Sequence, residues 1–388
     1  MPLDPAQRAV AELARDASGV VVGSPGSGKT EGLIERVRHL VAGGLQPDEV
    51  LVLTPSRPAA TLLRDRLALA VGTATGGAMA RSVAAFAYQL VRAHAVHTGQ
   101  ESPQLLTGPD DDQLIADLLA GDAEDEASGS PRWPDWLPVG VRATAGFRAE
   151  LRTLLAECTT LGIEPGELDR GATRHDIEVW HAAASFAGEY HAVRDRLRGA
   201  HRDAAGLVRE AVGLVRTLPD ASPALGVLTR LRVLLVDDAQ ELTLGGVELL
   251  EACRARGVAV LAFGDPDVGS GSFRGATPEN FARLAASGPI RVLGRPHRGT
   301  AAQQALVASV TSHIGAVGVV AHRRPPLPAT PDDSIRVLAA RSPAEEQDLI
   351  ARLLRERHVH EAVPWRACAV IAHDTRQVAT LEAELAAR

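Results

Sequence analysis

The sequence predicts an α/β fold in which a parallel sheet is flanked by helices, and three observations predict it. A short β-branched run, Gly19-Val20-Val21-Val22, leads through a glycine-rich loop into a helical periodicity. Largely apolar runs at 50–54, 231–236 and 258–263, broken only by Arg232 and the closing Thr54, alternate with helical segments, as strands buried on both faces do. Between about 86 and 225 the apolar residues follow a helical period alone, which predicts an all-helical insertion.

Taken in order, residues 4–15 read as a helix with Asp4 as N-cap, Pro5 at its first position and Val10, Leu13 and Ala14 on one face. This helix carries Gln7. After the first strand, Leu33, Ile34, Val37, Leu40 and Val41 recur at helical spacing until Gly43-Gly44. Pro47-Asp48 turns the chain into the strand Val50–Thr54, and Pro55 to Pro58 opens a helix with Leu62, Leu63, Leu67 and Leu69, closed from Gly72 on. The insertion carries the periodicities Leu114-Leu118-Leu119, Phe147-Leu151-Leu154 and Trp180 to Leu197, separated by acidic loops. Its Trp133, Trp136 and Trp180 are expected in a core rather than on a binding platform. The sheet resumes at 231–236, ending in Asp237-Asp238, and at 258–263, ending in Gly264-Asp265. Ile290–Leu293, a helix from Thr300, a Pro-rich linker at 323–333, strands at 335–339 and 367–372 and their helices predict a second α/β unit. The expected division is therefore 1–85 with 226–289, the insertion 86–225, and 290–388.

The 388 residues are 45% apolar and 23% charged, as in globular proteins, but only 3% aromatic, so the core must rest on Ala, Val and Leu. A net charge of −7 excludes a surface coated in positive charge while leaving room for a local Arg-lined groove. The three cysteines form no CxxC pair, which excludes the common zinc and iron–sulfur patterns. Neither a secretory signal nor a run of ~20 apolar residues is evident, so a cytoplasmic protein without membrane spans is expected.

The only lysine in the chain, against 40 arginines within the 41 basic residues, is Lys29. It lies in Gly23-Ser24-Pro25-Gly26-Ser27-Gly28-Lys29-Thr30, the phosphate-binding loop spacing of a P-loop NTPase. Glycines there let backbone N–H groups curl around a polyphosphate, and a compact ammonium reaches phosphates that a planar guanidinium does not. ATP and Mg²⁺ are the expected ligands, with all eight residues as cofactor-binding positions and Thr30 offering a hydroxyl to the metal. The acids ending the strand 231–236 supply the rest: Asp237 on the metal side, and Asp238 to orient and deprotonate the attacking water. Arg298 is the candidate for charge on the γ-phosphate, reaching it from the second α/β unit.

The order of these blocks resembles a superfamily 1 helicase of the UvrD, PcrA and Rep type. Leu3-Asp4-Pro5-Ala6-Gln7 resembles the adenine-reading Q motif, Gly23 to Thr30 motif I, and Leu53 to Ala60 motif Ia. Arg81 to Ala87 is similar to motif Ib and Val236 to Glu241 to motif II. Gly264 to Asp267 with Phe273-Arg274-Gly275-Ala276 is similar to motif III, and Arg295 to Arg298 to motif IV. The resemblance implies RecA-like ATP-binding domain 1A, helical subdomain 1B and the start of a second RecA-like domain, 2A. It implies ATP-driven 3′ to 5′ translocation on single-stranded DNA in repair or recombination. Gln7 would read adenine, and Arg57, Phe86, Phe273 and Arg274 would contact DNA, Phe273 by stacking on a base. The texture is nearest the motor of an actinobacterial AdnAB-type helicase-nuclease, AdnA-like, which implies a partner helicase-nuclease subunit. No block resembles motifs V and VI, so a longer parent chain is expected.

Departures from the pattern are as informative. Asp238 stands where the family has Glu, Val268 where it has its γ-phosphate-sensing Gln, and Gly271 where it has Tyr. Glu31 and His297 replace the Arg and Tyr that sandwich the base, and Ala84 and Ala85 replace the His and Ser of motif Ib. These changes keep a second possibility open: a hydrolysis-poor ATP- and DNA-binding subunit beside a competent motor. A small-molecule kinase or transport ATPase would share motif I but has no use for the Phe273 or Gln7 blocks.

Overall fold

The computed structural model describes residues 3–72, 77–105, 108–196, 201–202, 204–271, 275–315, 318–323, 332 and 334–387. Its strands are β1 Gly19–Gly23, β2 Val50–Thr54, β3 Ala80–Ser82, β4 Gln104–Leu105, β5 His201–Arg202, β6 Val233–Val236, β7 Ala259–Gly264 and β8 Ile290–Leu293. Six of them form one sheet in the order β3-β2-β6-β7-β1-β8, and every pairing in it is parallel. The two-residue strands β4 and β5 pair separately.

Period-two alternation in the strands decides which core each side chain joins. Val20, Val22, Leu51, Leu53, Leu234, Val236, Val260 and Ala262 enter one core, with helices Val83–Thr98, Ala204–Thr217, Leu244–Ala255 and Pro278–Ala286 over that face. Val21, Val50, Val52, Leu235, Leu261 and Phe263 enter the other, under helices Lys29–Ala42 and Arg57–Val71. Burial on both faces is why these runs carry no polar residue until their C-terminal ends. The helices Gly108–Ala127, Ala145–Leu161, Pro165–His175 and Glu178–Arg196 build two further apolar clusters of their own. Trp133 is buried there as expected, whereas Trp136 is 63% exposed.

Two segments differ from expectation. Ile290–Leu293, predicted to open a second α/β unit, pairs in parallel with β1 as the edge of the first sheet. The predicted strands at 335–339 and 367–372 are not strands among the described residues: a strand exists only through its pairing, and Val337 and Ile371 stand 92% and 95% exposed. The chain divides into two compact units, one of residues 1–299 and 304–328, the other of 300–303 and 329–388. In the second, helices Pro343–His360 and Thr375–Ala387 form, the former capped by Ser342. No helix among the described residues is long and apolar enough to cross a membrane.

Candidate nucleotide site

Parallel pairing places the C-terminal ends of β1, β2, β6 and β7 along one edge, with Val22 opposite Gly264 and Leu53 opposite Val236. The residues leaving these strands therefore converge, the usual place for a ligand in such sheets. Gly26 and Gly28 take positive φ angles of 81° and 79°, a conformation in which L side chains are strained. A Cβ on Gly28 would also lie 2.1 Å from Gln7 Nε2. Lys29 and Thr30 open the next helix, so its unpaired N–H groups face the loop.

Lys29 Nζ donates to the carbonyls of Gly23 at 2.7 Å and Ser24 at 3.2 Å, which sets the ammonium across the loop. Burial pushes this ammonium below its ordinary pKa, and Asp265 does most to oppose that, ahead of Asp238 and Asp237. The hydroxyl of Thr30 donates to Asp237 Oδ2 at 3.0 Å. Burial and the neighbouring charge of Asp238 push the Asp237 carboxyl up to about 6. Asp238 follows at φ 50°, a left-handed conformation that Asp tolerates better than most residues. The cradle, the ammonium and a hydroxyl–carboxylate pair suited to a hard divalent cation fit a magnesium nucleotide. Ser27 Oγ is buried in the loop without a partner among the described residues, a further polar atom available to such a ligand.

Gln7 is brought to the loop but is buried and engaged. Its Oε1 accepts from the Asp4 N–H at 2.9 Å, and its Nε2 donates to the Ser27 carbonyl at 3.1 Å. The helix bearing it, Pro5–Ala11, is shorter than predicted because Arg36, fully buried, donates to the carbonyls of Ala11, Leu13 and Ala14 and ends it there. His297 Nε2 pairs with Asp4 Oδ2 at 3.0 Å, and the His297 backbone N–H donates to Gly26 O at 2.8 Å. Glu31 is ion-paired with Arg66. Arg298 follows directly, and a Cβ on Gly26 would lie 3.3 Å from its Cβ. It belongs to the same compact unit as the loop, not to a second α/β unit as expected.

Of the proposed DNA contacts, Arg57 is exposed at the first position of its helix. Phe86 is a correction: it is 0% exposed inside the core under the sheet, so its ring packs against aliphatic neighbours and offers no face to a base. Phe273 and Arg274 lie outside the described residues. At Gly271 an added Cβ would lie 2.6 Å from Glu241 Oε2, whose carboxylate accepts from the Ser270 N–H, so a larger side chain there would displace the Glu241 carboxylate.

Sequence reasoning missed the partners of the turn after β7. The Asp265 N–H donates to Gln240 Oε1 at 3.1 Å, and Asp265 Oδ1 lies 3.0 Å from His322 Nε2. His322 is also 3.2 Å from Asp267 Oδ2, and Arg323 donates to both oxygens of Asp267 at 2.8 and 2.5 Å. No local signal links positions so far apart in sequence.

A model of the UvrD/REP helicase N-terminal domain matches residues 3–288. Among curated proteins, DNA helicase II of Escherichia coli K12 is 30% identical over 121 residues, 30% of this chain and 16% of that protein. DNA helicase II of Salmonella typhimurium aligns to the same extent. The matched stretch thus spans about a sixth of the length of these relatives.

Proposed function

We propose, for a chain that belongs to the UvrD/REP helicase family, that it is the ATP-dependent motor region of a DNA helicase acting on single-stranded DNA. The observation that carries this is the convergence of Lys29, Thr30, Asp237 and Arg298 on one glycine loop. In this reading the loop amides and Lys29 bind the β- and γ-phosphates of ATP, and Thr30 and Asp237 hold Mg²⁺, which neutralises phosphate charge. Asp238 orients and deprotonates water, and Arg298 stabilises charge on the transferred group. Movement from 3′ to 5′, a role in repair or recombination, a cytoplasmic setting and an AdnAB-like partner subunit belong to the same proposal. So does the division into 1A, 1B and 2A, supported for 1B by the separate apolar clusters of the inserted helices.

The test is ATP turnover by the full-length protein with and without single-stranded DNA. Lys29→Ala is expected to abolish the DNA-stimulated rate; equal rates in both proteins would remove the motor.

Asp238 and Val268 favour the second reading, a hydrolysis-poor subunit that grips ATP and DNA beside a competent motor. Asp is one methylene shorter than the family's Glu and stands further from a water held at the phosphate. Under this reading Asp238→Glu raises turnover, and an unchanged rate counts against it.

A further inference from the structure

The turn that follows β7 is held from outside the nucleotide site by two residues to which nothing in the family pattern draws attention. Asp265 is 2% exposed and is the acid whose charge bears most on Lys29. A buried carboxylate so placed needs its orientation fixed, because a small rotation changes the field at the ammonium. Its own backbone is fixed by Gln240, next to the strand-end acids, and its Oδ1 accepts from the Asp267 N–H at 3.0 Å. The remaining support comes from residues 322 and 323. His322, 3% exposed, sets Nε2 between Asp265 and Asp267 at 3.0 and 3.2 Å. Arg323 grips Asp267 with two parallel bonds and is itself anchored on the carbonyls of Ile314 and Gly315, each at 3.1 Å.

The three ligand-type atoms of Asp265, Asp267 and His322 lie within 4.8 Å of one another, the spacing of a metal site. Two features favour a proton-mediated clamp instead. Arg323 already occupies both oxygens of Asp267. His322 Nδ1 is buried without a partner among the described residues, whereas a metal-bound imidazole donates its other N–H to an acceptor.

We propose that His322 and Arg323 are positioning residues of the nucleotide site, clamping the 265–267 turn so that the Asp265 carboxylate stays fixed beside the phosphate-binding loop. The inference rests on the function proposed above. It places part of the control of ATP turnover in residues 322 and 323, whose polar partners among the described residues are Asp265, Asp267 and the carbonyls of Ile314 and Gly315.

The test is a kcat-against-KM split in single-stranded-DNA-stimulated ATP hydrolysis by the full chain. His322→Leu lowers kcat about tenfold with the KM for ATP within about twofold. His322→Gln, which keeps an N–H near the Nε2 position, restores most of the rate. Combined with Asp265→Asn, His322→Leu costs nothing beyond Asp265→Asn alone, because both act through one carboxylate. An unchanged kcat in folded His322→Leu, or losses that multiply in the double variant, overturns the clamp. If His322→Leu does not fold, Arg323→Gln replaces it, and an unchanged kcat there is equally fatal. A wild type without DNA-stimulated turnover defeats the function reading alone. Hydrogen exchange at residues 264–268 then decides the clamp, and unchanged protection in either variant overturns it.

Discussion

The Thr30 hydroxyl, on the first turn of the helix after β1, donates to the Asp237 carboxylate, at the end of β6, across 207 positions of sequence at 3.0 Å. The bond joins the two halves of the candidate metal site without any ligand, because the parallel register brings both strand ends to one edge. Thr30→Val keeps the shape and removes the hydroxyl. It is expected to weaken Mg²⁺-dependent nucleotide binding at least about tenfold while leaving metal-free nucleotide binding unchanged, as titration with and without Mg²⁺ would measure.

The acidity of Asp237 makes a second expectation. Its carboxyl is pushed from 3.8 up to about 6 in the folded protein, so the folded state binds this proton more tightly than the unfolded chain. The charged form therefore costs stability, fully above pH 6 and not at all below the unfolded value near 3.8. Asp237→Asn should raise the thermal midpoint of nucleotide-free protein at pH 7.5, and the gain should shrink as pH falls from 6 towards 4. A gain that grows on acidification would contradict the burial argument.

Phe86 separates packing from DNA contact. Truncation to Ala removes a fully buried ring and should cost about 3–5 kcal/mol of stability. Phe86→Leu keeps most of the volume, so it should cost under about 1.5 kcal/mol and leave single-stranded DNA affinity unchanged at fixed salt. A large loss of affinity in folded Phe86→Leu would restore its place among the DNA contacts.

Arg36 fastens the helix that carries Gln7. Burial lowers its guanidinium to about 10, yet three carbonyls of the 11–14 segment depend on it. Arg36→Met leaves those carbonyls unpaired and should destabilise the protein by about 2–4 kcal/mol. Calorimetry measures that cost. A raised KM for ATP in the same variant would follow from the loosened contact of Gln7 with Ser27.

Base selectivity is expected to be low. The Gln7 amide is engaged by Asp4 and Ser27, His297 by Asp4, and Glu31 by Arg66. With few free polar groups to lose on a wrong base, ATP and GTP should support turnover with kcat/KM values within about tenfold of each other. A preference of several hundredfold would mean that these pairs rearrange around adenine.

The strand–loop–helix unit, the apolar strands and the strand-end acids were legible in the chain before any fold was known. These are local patterns: a glycine spacing, a period of two or 3.6, an apolar run stopped by carboxylates. A lone lysine among arginines marked the same loop. Tertiary structure decided what depends on which segments meet. It put Ile290–Leu293 beside β1, sank Phe86 in a core rather than a groove, and left the runs at 335–339 and 367–372 unpaired among the described residues. It also set His322 and Arg323 on Asp265 and Asp267, 56 or 57 positions away. Pairing between distant side chains leaves no period in a single chain, so only the folded arrangement supplies it.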